Sequence, residues 1–204
     1  MRIGKLAKIW ATAALTAVSI AAMALPAQAE SLWIDYQTTD ADIATINQLM
    51  TPIRPLTGGP GSNSIVNQVG TSNASTASIV GSGNLTLVQQ TGSNNRAAQI
   101  VEGSNSAAVL WQGGSDNTVF QGSQGDRNFQ LVAVSGSGND VAYMQVGNDL
   151  AGALDVTNST NSSVFALQTP STSNYMMPSG LRGLTNQVVI VVPGRMYVIP
   201  KSAF

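Results

Sequence analysis

The sequence predicts an all-β chain: a β-solenoid of stacked 22-residue coils, two 11-residue strand-turn units per coil, with parallel, in-register sheets of amyloid-like character. Three observations predict it. Glycine recurs every eleven residues at Gly59, Gly70, Gly81, Gly92, Gly103, Gly114, Gly125, Gly136 and Gly147, and the next station is Asn158. Asparagine stands three residues after most of these glycines, at Asn73, Asn84, Asn95, Asn117, Asn128, Asn139 and Asn161, with Ser106 and Leu150 as departures. Finally, the positions five, seven and nine residues after each station from Gly70 to Asn158 number 27, and none is charged, 16 are apolar and six are Gln. Gly and Asn are the residues that best tolerate positive φ, so G-x-x-N is a turn, and the alternating residues after it form a short strand with those three stations inward.

At the amino terminus Arg2, Lys5 and Lys8 precede an uncharged apolar run from Ile9 to Leu25, followed by Pro26 and Ala27-Gln28-Ala29. That is the pattern of a secretory signal peptide over residues 1–29, with cleavage before Glu30. A membrane anchor is the competing reading, and the run is short for a span of about 20 residues. No later run is long enough to span, so no integral span is expected after cleavage. Removing 29 of 204 residues leaves 175, with six basic and ten acidic side chains and a net charge of −4. Acids gather near the start (Glu30, Asp35, Asp40, Asp42) and bases near the end (Arg182, Arg195, Lys201). No basic cluster exists to neutralise phosphates, which argues against nucleic acid as a partner.

Residues 30–60 form an N-terminal segment and linker. Asp40 is placed to cap a helix over Asp40 to Met50, with Ile43, Ile46 and Leu49 on one face. Pro52, Pro55, Pro60, Gly58 and Gly59 then make the linker, which takes Gly59 out of the repeat despite its phase.

The repeat proper covers residues 61–168. A strand of about five residues is not stable alone, so successive units must pair. Folding two units into one flattened coil and stacking coils at about 4.8 Å is the economical arrangement. The spacing of 22 is favoured over 11 because Asn73, Asn95, Asn117, Asn139 and Asn161 form an unbroken column, whereas the alternate column reads Asn84, Ser106, Asn128, Leu150. Gln68, Gln90 and Gln112 make a second column before Val134 and Val156 replace it, and Gln99 stacks on Gln121. Identical amides in register hydrogen-bond along a stack, and an unpaired buried amide costs roughly 1–3 kcal/mol. Asn- and Gln-rich composition by itself favours disorder, but strict phasing with charge excluded from one face does not belong to a disordered tract. The opposite face is also apolar, carrying Leu85, Leu87, Ile100, Val109, Trp111, Phe120, Phe129, Leu131 and Met144, which suggests lateral packing with other chains.

Residues 169–204 read as an irregular segment followed by a hairpin: Val188 to Val192, a Pro193-Gly194 turn, and Met196 to Ile199, with Arg195 and Lys201 flanking. Val188, Val192, Arg195 and Lys201 are the candidates for capping the last coil or anchoring it to another component.

The composition also excludes chemistry. With no histidine and no cysteine among 204 residues there is no imidazole base, no thiolate and no zinc set of the usual ligands. The acids are scattered over turn and outward positions, so neither catalytic, metal nor cofactor-binding residues are expected, and the chain reads as a non-enzyme. Asp140, in Gly136-Ser137-Gly138-Asn139-Asp140, resembles a calcium-binding nonapeptide turn only once, and reads as a solvated turn acid.

Gln90-Thr91-Gly92-Ser93-Asn94-Asn95-Arg96-Ala97 spells Q-x-G-x-x-N-x-A, and resembles the curlin repeat of bacterial curli fibre subunits. Gln68 to Asn73 and Gln112 to Asn117 match the Q-x-G-x-x-N half, and Gln145-Val146-Gly147 keeps only Q-x-G. The resemblance covers residues 62–168 and implies a secreted functional amyloid at the bacterial cell surface, a fimbrium-like fibre for adhesion and biofilm matrix. It implies as partners other curlin subunits, further copies of the chain and the outer-membrane secretion and assembly machinery. The tail is similar to that of the minor, nucleating curlin subunit. A major curlin subunit and a non-fibrillar secreted β-solenoid adhesin are the alternatives. The residues that carry self-assembly on this reading are the ladder amides Gln68, Gln90, Gln112, Gln99, Gln121, Gln145, Asn73, Asn95, Asn117, Asn139 and Asn161, with the turn glycines Gly70 to Gly147.

Overall fold

The computed structural model describes residues 32–35, 61–170 and 174–203. The leader, the helix expected over 40–50 and the Pro/Gly linker lie outside the described residues. The described chain is a parallel β-solenoid of about six turns with a 22-residue spacing.

Each coil contributes one strand to each of two sheets. A short strand β1 (Leu32–Asp35) precedes the coils. The first coil is β2 (Asn63–Thr71) and β3 (Ala74–Val80), the second β4 (Leu85–Ser93) and β5 (Arg96–Glu102), the third β6 (Ala107–Ser115) and β7 (Thr118–Gln124). Next come β8 (Phe129–Ser137) with β9 (Asp140–Val146), then β10 (Ala151–Thr160) with β11 (Ser163–Gln168). The chain finishes with β12 (Tyr175–Met176), β13 (Gln187–Val192), β14 (Arg195–Pro200) and a single 3-10 turn, Lys201–Ala203. One sheet runs β12-β10-β8-β6-β4-β2 and the other β1-β14-β13-β11-β9-β7-β5-β3. Odd and even 11-residue units therefore segregate to opposite sheets, as a flattened two-strand coil requires.

The register over the first four coils is a translation by 22 residues: Asn63 pairs with Leu85, Leu85 with Ala107, Ala107 with Phe129, and Arg96 with Thr118. Period-two alternation then sets the interior. Val88, Leu110, Val132 and Leu154 stack in one column, and Ala97, Val119, Val141 and Val164 in another, all within one buried cluster.

One residue is inserted within the fifth coil, inside β10. Val156 pairs with Val134, but Ser159 pairs with Gly136, so Thr157 and Asn158 together span what one residue spans below. This β-bulge makes the β9–β11 offset 23 residues: Ser163 pairs with Asp140 and Gln168 with Gln145. Because side chains alternate, a one-residue slip exchanges faces. The expected inward set Ser163, Phe165 and Leu167 is therefore wrong for this unit. Val164, Ala166 and Gln168 are buried, while Phe165 is 43% exposed.

The opposite face of the β12-β10-β8-β6-β4-β2 sheet also needs correction. Leu85, Val109, Phe129 and Leu131 join Ala107, Ala151 and Ala153 in a second buried cluster, with Leu87, Tyr175 and Met177 packed against it. These residues point away from the solenoid interior and are nonetheless buried, where the sequence predicts an exposed apolar face. Ile100 and Trp111 stay exposed, and Phe120 and Met144 are half-buried.

Ion pairs lie on the rim. Arg127 meets Asp149 of the next coil at 2.6 Å, and Arg182 meets Asp155 at 2.6 Å. The Arg127 hydrogen bond holds the Asp149 carboxyl below its ordinary range. The pair's contribution is thus present at neutral pH and is lost as the pH falls through that lowered value; at an exposed site it is small.

Candidate functional site

The chemistry of this chain lies in the groups that link coil to coil. At every turn glycine φ is positive, from 90° at Gly114 to 136° at Gly147. A second reason for glycine is proximity: a Cβ on Gly92 would lie 2.0 Å from the Gly114 carbonyl oxygen, and one on Gly114 would lie 2.0 Å from that of Gly136. Coils approach closest at these corners, and only a hydrogen fits there.

A second turn position also has positive φ and does not stand out in the sequence. It falls two residues after the glycine, at Ser72, Gly83, Asn94, Asn105, Asp116, Arg127, Gly138 and Asp149. Its signal is the preponderance of Asn, Asp and Gly. Asn158 is not a glycine station. It lies in the bulge at φ 58°, and Ser159 takes the place against Gly136.

The Asn column works differently from a plain amide zipper. The Asn95 N–H donates to Asn73 Oδ1 at 3.0 Å, that of Asn117 to Asn95 Oδ1 at 3.2 Å, and that of Asn139 to Asn117 Oδ1 at 3.0 Å. Each Nδ2 donates to the turn-glycine carbonyl of the next coil: Asn73 to Gly92 at 3.0 Å, Asn95 to Gly114 at 2.9 Å and Asn117 to Gly136 at 3.0 Å. Direct amide-to-amide bonds appear only at Asn117 to Asn95 (3.2 Å) and Asn139 to Asn117 (2.9 Å). The side chain thus ties backbone to backbone across coils, which explains why serine serves at position 106: its Oγ accepts the Asn128 N–H and donates to the Gly125 carbonyl.

Asn161 does not belong to this column. The insertion moves Ser162 into it, and the Ser162 N–H donates to Asn139 Oδ1 at 3.1 Å. Asn161 sits exposed in the turn at φ 47°, where its Oδ1 accepts from Lys201 Nζ at 3.1 Å.

The Gln columns are amide-to-amide. Gln68 Nε2 donates to Gln90 Oε1, and Gln90 Nε2 to Gln112 Oε1 at 2.7 Å. Gln112 ends the run by donating to the Asn117 carbonyl at 2.8 Å. On the other sheet Gln99 donates to Gln121 at 2.7 Å. Gln145 belongs to a different column from Gln112: it donates to Gln168 Oε1 at 2.8 Å, and Tyr143 Oη donates to the same oxygen at 2.6 Å. Gln168 and Tyr143 escape a reading of the sequence because the 23-residue offset hides the pairing. Tyr143 Oη reaches over Gly152, where a Cβ would lie 1.8 Å from it.

One column stops short. Gln99 Oε1 is buried with no hydrogen-bond partner, because the residue beneath it is Ala77. An Ala77→Gln change supplies an Nε2 in the direction every other ladder amide uses. It is expected to raise the unfolding free energy by about 1 kcal/mol, measured by denaturant melts.

The two ends of the stack differ. At the first coil every residue of β2 is exposed, and Val66, which lies under Val88, is 47% exposed. At the other end β13 adds parallel to β11, but β14 then turns back antiparallel on β13, with the Pro193-Gly194 turn at Gly194 φ 75°. β1 adds antiparallel to β14, Asp35 opposite Arg195. Val189, Val191, Met196, Leu181 and Leu184 are buried there. Val188 and Val192 are half-buried on the hairpin, Arg195 is exposed, and Lys201 lies in the closing turn. The four C-terminal candidates therefore sit on or beside the antiparallel hairpin that ends one of the two sheets, while the other sheet ends on the short parallel strand β12.

Among the described residues no three His, Cys, Asp or Glu side chains come together as a metal site, and no helix is long and apolar enough to cross a membrane. No family model, curated protein or solved structure matches this chain.

Proposed function

We propose that the chain is a structural subunit of curli-type extracellular fibres, in the nucleating role, serving cell adhesion and biofilm matrix by templated addition of strands. The observation that carries the reading is the amide ladder Gln68–Gln90–Gln112, whose first amide lies on an exposed coil with no further coil beneath it among the described residues. An open coil end offers backbone N–H and C=O groups for β-augmentation, and in-register amides extend across molecules as they do within one. The Q-x-G-x-x-N phasing supports a curlin assignment, and with it export through the outer-membrane assembly machinery and partnership with other curlin subunits.

Replacing Gln90 and Gln112 together with Leu tests the ladder. The double variant is expected to lengthen the lag of thioflavin T-positive assembly severalfold, because Gln68 loses its acceptor. Unchanged kinetics contradict the ladder's role. A chain that stays a soluble monomer and accelerates no other assembly contradicts the fibre reading and favours the solenoid adhesin.

A further inference from the structure

We propose that residues 36–60 of this chain run down the outer face of the β12-β10-β8-β6-β4-β2 sheet, where an amphipathic helix over 40–50 covers an apolar band with Ile43, Ile46 and Leu49. The inference is independent of the fibre reading. It leaves the outer face with Ile100 and Phe165 as the apolar face open to other chains.

The band consists of two outward columns at the strand starts. Leu85, Ala107, Phe129, Ala151 and Tyr175 stand in register, and beside them Leu87, Val109, Leu131 and Ala153. Leu85, Val109, Phe129 and Leu131 are all buried. A flattened coil sets no second sheet over its outer face, and every described residue of this cluster belongs to the sheet itself or directly follows β12. The other sheet shows an uncovered outer face, with Ile100 and Phe165 exposed. The burial is also confined. Trp111, two residues past Val109, is 42% exposed, and Ile65, paired with Leu87 one coil below, is 48% exposed.

Both ends of the 36–60 segment lie on the edge along which this band runs. Asp35 pairs with Arg195 and Arg195 with Val192, so β1 ends on the side where β11 ends. Odd-numbered strands end where even-numbered ones begin, as at the turn from Glu102 to Ala107. At the opposite end of the stack the chain enters β2 at Asn63, paired with Leu85 of the band. From β1 to β3 the sheet order counts seven steps, about 34 Å at about 4.8 Å each. The connecting residues must therefore travel the height of the solenoid along this edge.

The lengths agree. The band from β4 to β12 spans four steps, about 19 Å, and an 11-residue helix is about 16 Å long. The low points of the band, Ala107 and Ala151, are two steps or about 9.6 Å apart. Ile43 and Leu49 are separated by six helical residues, about 9 Å. With the chain descending from β1 to β2, Ile43 falls over Ala151 and Leu49 over Ala107. Asp40 and Asp42 fall at the helix start, where the dipole favours acids.

The chain has no cysteine, so introduced thiols report position. In the purified protein a Leu131→Cys thiol is expected to react with a maleimide about tenfold more slowly than a Phe165→Cys thiol. Adding Ile43→Asp and Ile46→Asp is expected to remove that protection, while a Val132→Cys thiol inside the coil stays protected and shows that the solenoid is intact. In dilute solution a short bis-maleimide is expected to join Ile43→Cys to Ala151→Cys, and Leu49→Cys to Ala107→Cys, within one molecule. The exchanged pairs, Ile43→Cys with Ala107→Cys and Leu49→Cys with Ala151→Cys, are expected to join severalfold more slowly. Protection of Leu131→Cys that survives both aspartates with Val132→Cys also protected overturns the cover. Cross-links formed only between molecules overturn its assignment to the chain's own segment, and faster joining of the exchanged pairs overturns the descending direction.

Discussion

Replacing Gly114 with alanine destabilises the solenoid by about 3 kcal/mol or more, since two penalties combine. The residue holds φ at 90°, outside the region L side chains favour, and the added methyl would stand 2.0 Å from the Gly136 carbonyl oxygen. The obstacle is backbone, so no rotamer change relieves it. Relief requires the third and fourth coils to separate at one corner, which stretches the Asn117 Nδ2 bond to the same Gly136 carbonyl, now 3.0 Å. A lowered unfolding midpoint, with amide exchange accelerated chiefly in residues 113–139, is the readout. The same substitution at Gly180, where nothing lies within 4 Å of the added atom, serves as the control and costs less. Equal effects at the two glycines contradict the close approach at the corner.

Asn117→Leu is the second large effect. Asn117 is fully buried and connects three coils: its Nδ2 donates to Asn95 Oδ1 of the second coil and to the Gly136 carbonyl of the fourth, and its Oδ1 accepts both the Asn139 N–H and Asn139 Nδ2. Leucine fills similar volume and pairs with none of these, leaving buried polar groups unmet at roughly 1–3 kcal/mol each. Leu150 shows where leucine is tolerated. It occupies the equivalent place in the other column, reaches Asn128 Oδ1 through its own N–H, and ends that column. Asn117→Leu therefore lowers the unfolding free energy by about 2–5 kcal/mol in denaturant melts. Asn117→Ser, which reproduces the bonding of Ser106, recovers part of it. A leucine variant as stable as the parent contradicts the bridging role of the corner amides.

The coil was legible because its signals are periodic. Gly70 to Gly147 and Asn73 to Asn139 repeat at fixed intervals, and the absence of charge from the residues around Val88, Leu110 and Val132 marks the inner face. What was not legible depends on single residues. The inserted residue at Thr157–Asn158 is invisible in phase, since an asparagine at 158 continues the eleven-residue count. Only the pairing of Ser159 with Gly136 reveals that the count has slipped, carrying Asn161 out of the Asn column and Phe165 to the surface. The bonding pattern of asparagine was likewise hidden, because a column of identical amides looks the same whether it bonds to itself or to the backbone. Ser106 held the clue, as its hydroxyl can do the second and not build an amide zipper. The Val188 to Ile199 hairpin was readable from its β-branched runs and Pro-Gly turn. Its consequence was not, since closure of one sheet depends on the antiparallel addition of β14 and β1, which are far apart in sequence.

On the proposed function, the open Gln68 coil starts a ladder that other molecules continue. The most direct measurement is fibre diffraction on assemblies seeded by the purified protein, with lag times recorded for the protein and for Val66→Lys side by side. The expected result is a meridional spacing of about 4.8 Å, a seeded lag much shorter than the unseeded one, and loss of that shortening in the lysine variant. Seeding that is indifferent to Val66, or assemblies with no cross-β spacing, would contradict it.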